Sequence, residues 1–88
     1  MTTHYHIEIR GELNNLGYKL QTMILAREHN ISGTVSEQNN LIIIEAEGEE
    51  KMLDAFVASC KEKISKEHDI EMLIEDRIIK YFDDFIIL

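Results

Sequence analysis

Between residues 4 and 10 apolar and polar positions alternate, with Tyr5, Ile7 and Ile9 on one side and His4, His6, Glu8 and Arg10 on the other. A period of two is that of a half-buried strand and predicts a sheet with one covered face. Over residues 18–29 the period lengthens: Tyr18, Leu20, Ile24 and Leu25 are apolar, Met23 and Ala26 lie beside them, and no glycine or proline interrupts a helix. Asn30, which tolerates the left-handed conformation, is the expected stop. Residues 31–37 and 41–46 read as a hairpin across the turn formers Asn39 and Asn40. A second helix is expected over residues 49–66, where Met52, Leu53, Phe56, Cys60 and Ile64 follow three and four spacing behind an acidic first turn. Residues 70–79 then read as a strand, and residues 85–88 as a short terminal edge strand after the acidic turn Asp83, Asp84.

This order predicts an α+β fold, a ferredoxin-like βαββαβ sandwich with an antiparallel sheet and two helices on one face. With 88 residues, residues 1–88 are expected to form a single domain around one core. Seventeen acidic against nine basic side chains give a net charge of −8, which argues against binding nucleic acid or an anionic membrane through a general basic surface. The N-terminal stretch lacks a basic start and a continuous apolar run, so a cytoplasmic location is expected. The one cysteine, Cys60, leaves no internal disulfide. The architecture hosts many unrelated activities, so function has to come from particular residues.

Gly11, Glu12, Leu13, Asn14, Asn15, Leu16, Gly17, Tyr18 and Lys19 follow the first strand and open the first helix. They occupy the nine positions of G-x-V-Q-G-V-G-F-R, the loop pattern of the acylphosphatase family, which the chain resembles. Ala26, Ile31, Ser32 and Gly33 continue the resemblance through the first helix into the second strand. Ile44, Glu45, Ala46, Glu47 and Gly48 echo a V-E-I-x-A-E-G pattern, Leu53 and Phe56 are in register, and Phe85 and Ile87 are similar to a terminal F-x-I. The resemblance implies that the backbone amides of Asn14, Asn15, Leu16, Gly17, Tyr18 and Lys19 bind the phosphate of an acyl phosphate, with no metal or organic cofactor. Consecutive amides at a helix start suit that task. It also implies catalytic roles for the arginine that closes the loop and for an asparagine that positions water in the second strand. Those positions are Lys19 and Glu37 here.

Both substitutions alter the chemistry. Lysine keeps the charge but lacks the planar fork that grips phosphate oxygens in pairs. An ionised glutamate only accepts hydrogen bonds and repels the anion, by about 3 kcal/mol per unit of phosphate charge at about 5 Å and an effective dielectric near 20. At an ordinary pKa of about 4.3 it is also a weak general base at neutral pH. Asn15 replaces a family glycine, and asparagine tolerates positive φ better than most side chains. The expectation is a candidate acyl phosphate hydrolase with a degenerate active site and weak or lost activity, taking a small acyl phosphate or inorganic phosphate. The alternative is a non-catalytic protein- or anion-binding regulatory module on the same scaffold. Lys19 and Glu37 could form an ion pair across the site or stand as two independent solvated charges.

Other residues invite less. His4 and His6 have the spacing to share a metal, but without a further ligand pattern two partly exposed histidines and no metal are expected. Cys60 reads as a buried packing residue, and Met23, Ile24 and Leu25 as core and its edge. Asp83 and Asp84 read as a solvated turn. On the open sheet face, Leu41, Ile43, Glu45 and one of Met72, Leu73 and Ile74 should point outward, a surface suited to a protein partner or self-association.

Overall fold

In the computed structural model, β1, Thr2–Arg10, is the strand on which the sheet is built, pairing on both edges. The structure describes residues 1–11, 17–65 and 70–88, except for the side chains of residues 64 and 65. After β1 come α1 (Gly17–Glu28), β2 (Ser32–Gln38), β3 (Leu41–Glu49), α2 (Glu50–Ser65), β4 (Glu71–Arg77) and β5 (Phe85–Ile87). The strands lie in the order β4-β1-β3-β2-β5. The end of the second expected helix, Lys66, lies outside the described residues.

The first four strands pair antiparallel, as expected, whereas β5 runs parallel to β2 and makes the sheet mixed. The register explains why. Arg77 at the end of β4 pairs with His4, which lies in one row with Glu47 of β3 and Ser32 at the start of β2. The chain leaves β4 at the end where β2 begins, crosses to the far edge and sets out in the direction of β2. Strand β4 stops at Arg77 rather than at Ile79, because the chain turns there to make this crossing. Strand β3 runs beyond Ala46 to Glu49, where it pairs with Thr2.

Asparagines shape two corners. Asn39 and Asn40 have φ of 50° and 65°, left-handed at both central positions as a two-residue hairpin of matching twist requires. Asn30 has φ 57°, and the Ile31 amide donates to the Ala26 carbonyl at 2.8 Å while the Asn30 amide donates to Arg27 at 3.3 Å. These two bonds form a Schellman stop that satisfies carbonyls at the end of α1.

Helix α1 packs against β2 and β5, and α2 against β1 and β3, with both helices on one sheet face. Ile7, Ile9, Val35, Ile42, Ile44 and Phe85 from the sheet meet Leu25, Ala26, Leu53 and Phe56 from the helices, all buried. Each large side chain so buried contributes roughly 1.5–3 kcal/mol. The Phe56 and Phe85 rings meet edge-on at 6.2 Å between centroids. Gly33, at φ 144°, admits no side chain: a Cβ would lie 1.7 Å from the Glu45 carbonyl oxygen.

Candidate functional site

Arg10 pairs with Leu41, which pairs with Gln38, so β1 and β2 end where β3 begins. Helix α1 packs on β2 and its stop leads directly into the start of β2, so its first turn lies toward the opposite end, where β2 finishes. Lys19 is in that turn and half-buried, behind a buried Tyr18. Glu37 lies one residue before the end of β2, exposed, and pairs with Ile42, which pairs with Ile9. Paired residues share a face, so Glu37 projects on the side that the helices cover. A depression of about 500 Å³ at this end of the sheet is lined by Arg10, Gly11, Gln38, Asn39, Asn40 and Leu41; the strand residues among them belong to the row next to Glu37's, which faces the other side. Asn14, Asn15 and Leu16, expected in the phosphate loop, lie outside the described residues.

Among the described residues no ion pair joins Lys19 to Glu37. Of the two arrangements open from the sequence, the structure has separate charges. An exposed carboxylate gains little from pairing and retains its hydration.

The opposite face carries a cluster that sequence reasoning missed. His4 is only 1% exposed and Glu47 3%, against the expectation of partly exposed histidines. The cause is the segment 78–84, which straps the outer face between β4 and β5. His4 Nδ1 lies 2.8 Å from the Ile78 carbonyl oxygen and 3.3 Å from Glu47 Oε2, while Nε2 lies 2.7 Å from Glu45 Oε1. The Phe82 amide donates to Glu47 Oε1 at 3.0 Å, and the Lys80 amide donates to Oε2. His6 sits at the cluster's edge, its Nδ1 2.5 Å from Glu45 Oε2 and its Nε2 2.9 Å from Glu8 Oε2. Burial lowers the His6 pKa, but the hydrogen bonds to Glu8 and Glu45 outweigh it and raise the value above 6.5. Glu45 moves the other way: burial raises its pKa, and the bonds from His4 and His6 bring it below 4.5. The signal in the sequence was two imidazoles, H-x-H, in register with two carboxylates, E-x-E, on adjacent strands.

The remaining candidates follow expectation more closely. Cys60 is buried, and burial pushes its thiol up to about 12, far from a nucleophile's range. Leu25 is buried and Met23 packs against the core, while Ile24 is half exposed. Asp83 and Asp84 are exposed, and Asp84 also reaches Arg27 at 3.4 Å and the Phe85 amide at 2.7 Å. Leu73 is the outward residue of β4, because it pairs with Glu8 whereas Met72 and Ile74 pair with Ile9 and Ile7. Among the described residues, no three His, Cys, Asp or Glu are grouped to hold a metal, and no helix is long and apolar enough to cross a membrane.

Two helices on one face of a sheet with this strand order define a ferredoxin-like fold of acylphosphatase type. The acylphosphatase family model matches residues 5–87, and the chain belongs to that family. An acylphosphatase of Oceanobacillus iheyensis is 30% identical over 86 residues, covering 91% of this chain and 94% of the relative. The fold matches the acylphosphatase of Bacillus subtilis with a TM-score of 0.79 at 23% identity, over 100% of this chain and 99% of the other. It also matches full-length HypF, crystallised in its phosphate- and nucleotide-bound form, with a TM-score of 0.92 at 28% identity, over 100% of this chain. The chain spans only 12% of that protein's length.

Proposed function

We propose that the chain is a slow, metal-independent acyl phosphate hydrolase, a single domain of the cytoplasm with a degenerate form of the family's site. The observation that carries this reading is the placement of Lys19 and Glu37 at one end of the sheet, unpaired with each other, beside the start of α1. The amides of residues 14–19, the helix start and the Lys19 ammonium are suited to hold the phosphoryl oxygens. Water attacks phosphorus, the bond from phosphorus to the acyl oxygen breaks, and a carboxylate leaves with the electron pair. That leaving group is stable as an anion, so no strong general acid is required. Catalysis then rests on position and charge, as phosphoryl transfer generally does. Glu37 accepts a hydrogen bond from the water but repels the substrate, which makes the enzyme slow.

The test is hydrolysis of acetyl phosphate together with a phosphate titration of the backbone amides. Turnover above background, lowered on the order of a hundredfold by Lys19→Ala, supports the reading. Glu37→Asn is expected to tighten phosphate by on the order of a hundredfold, the repulsion it removes. The second reading, a non-catalytic anion-binding or regulatory module, is favoured by the exposed Glu37 carboxylate itself. Amide shifts on adding phosphate without turnover would establish it in place of the enzyme. No turnover and no shifts at residues 14–19 would overturn both.

A further inference from the structure

The strap 78–84 is held by groups that agree in only one protonation state. Both ring nitrogens of His4 face acceptors, the Ile78 carbonyl with Glu47 on one side and Glu45 on the other. A neutral imidazole has one N–H, so it would leave an acceptor facing an acceptor; the imidazolium satisfies both. His6 likewise faces carboxylates from both nitrogens. The two imidazolium charges offset Glu45, Glu47 and Glu8, which would otherwise crowd together as carboxylates with little water. Other charged groups facing the cluster are Arg77 and Glu75 of β4, the register partners of His4 and His6, and Lys80 and Asp83 of the strap. A cavity of about 290 Å³, lined by His4, His6, Glu45, Arg77, Ile78 and Lys80, lies against the network and gives protons a route to it.

The backbone of the strap is also strained. Tyr81 is non-glycine at φ 59°, and the residue is 82% exposed, so packing does not hold it there. The two amides that Glu47 grips, those of Lys80 and Phe82, flank this residue. Glu47 therefore clamps the strained turn, and His4 neutralises Glu47 beneath it.

We propose that His4 is a protonation-dependent latch: as an imidazolium it fastens the strap 78–84 to the outer sheet face, and on losing its proton it releases the strap and uncovers that face. The sign of the latch follows from its geometry: the closed strap uses both N–H groups of the His4 imidazolium, and losing the proton leaves one acceptor without a donor. A histidine raised when folded, as His6 is, stabilises the fold below its ordinary value of 6.5, and that contribution is lost as pH rises through the folded value. Glu45, lowered when folded, contributes above 4.5 and loses its contribution as pH falls through the folded value. The latch is closed in mildly acid solution and opens toward alkaline pH.

The test is an NMR titration of the wild-type protein from about pH 6 to about pH 9, the span over which imidazoles discharge. It follows the His4 ring nitrogens and the exchange protection of the Lys80 and Phe82 amides, corrected for the intrinsic base-catalysed rate. The expected result is two protonated ring nitrogens at the acid end, and strap protection that falls by about tenfold or more as His4 discharges while the Ile44 amide keeps its protection. A neutral His4 tautomer throughout, or strap protection that stays level while His4 titrates, would overturn the proposal. In His4→Gln the strap should be poorly protected at every pH, with the pH dependence gone. A folded His4→Gln protein that keeps wild-type strap protection would also overturn it. The wild-type titration decides the matter even where that variant does not fold.

Discussion

The two faces of this sheet bury side chains by opposite physics. Toward the helices, Ile7 and Ile9 of β1 lie against Ile44 and Ile42 of β3, and apolar area removed from water is sufficient reason for burial. On the other face of the same two strands, His4 and Glu47 are equally inaccessible, and there burial opposes the charges and is tolerated only because donors and acceptors match. The helix face tolerates inexact neighbours and loses stability in proportion to the atoms removed. The strapped face depends on a set of partners, and removing one leaves the others unsatisfied.

That contrast yields graded predictions. On the apolar face, Phe56→Ala removes the ring that meets Phe85 and should cost about 3–5 kcal/mol in denaturant unfolding, with normal cooperativity if the core remains one unit. On the strapped face, Glu47→Gln keeps the shape but removes the charge that the strap amides and His4 share. A loss of about 2–3 kcal/mol is expected, with the strap amides exposed first in hydrogen exchange. A loss under about 0.5 kcal/mol would erase the distinction between the faces. Tyr81→Gly should act in the other direction and stabilise by up to about 1 kcal/mol in the same unfolding measurement, because glycine accepts the left-handed backbone and an exposed side chain leaves little packing behind.

The proposed catalytic end offers a third kind of environment. Lys19 and Glu37 stand near the ends of elements, the first in the opening turn of α1 and the second one residue before the end of β2. Glu37 is exposed, so substitutions there should change function more than stability, the reverse of Phe56.

Much of the fold was legible because local patterns and global packing agreed. The alternation of β1, the paired asparagines of the hairpin and the three and four spacing of α2 each have one economical solution. Asn30 was readable as a stop for the same reason: few side chains accept φ near its 57°. The family resemblance singled out Lys19 and Glu37; the structure puts the first in the opening turn of α1 and the second one residue before the end of β2. The status of His4 was not legible, although its face was. Alternation says which side of a strand a residue occupies, and nothing about what lies above that side.

The sequence by itself therefore determined the elements, their order, the apolar face and the family, since these depend on neighbours three, four or two residues apart. Only the tertiary structure decided that β5 is parallel, that Lys19 and Glu37 do not pair, and that a polar strand end lies beneath a strap. Each of these depends on where segment 78–84 crosses or where distant side chains end, on residues about 20 to 75 positions apart that no local period relates.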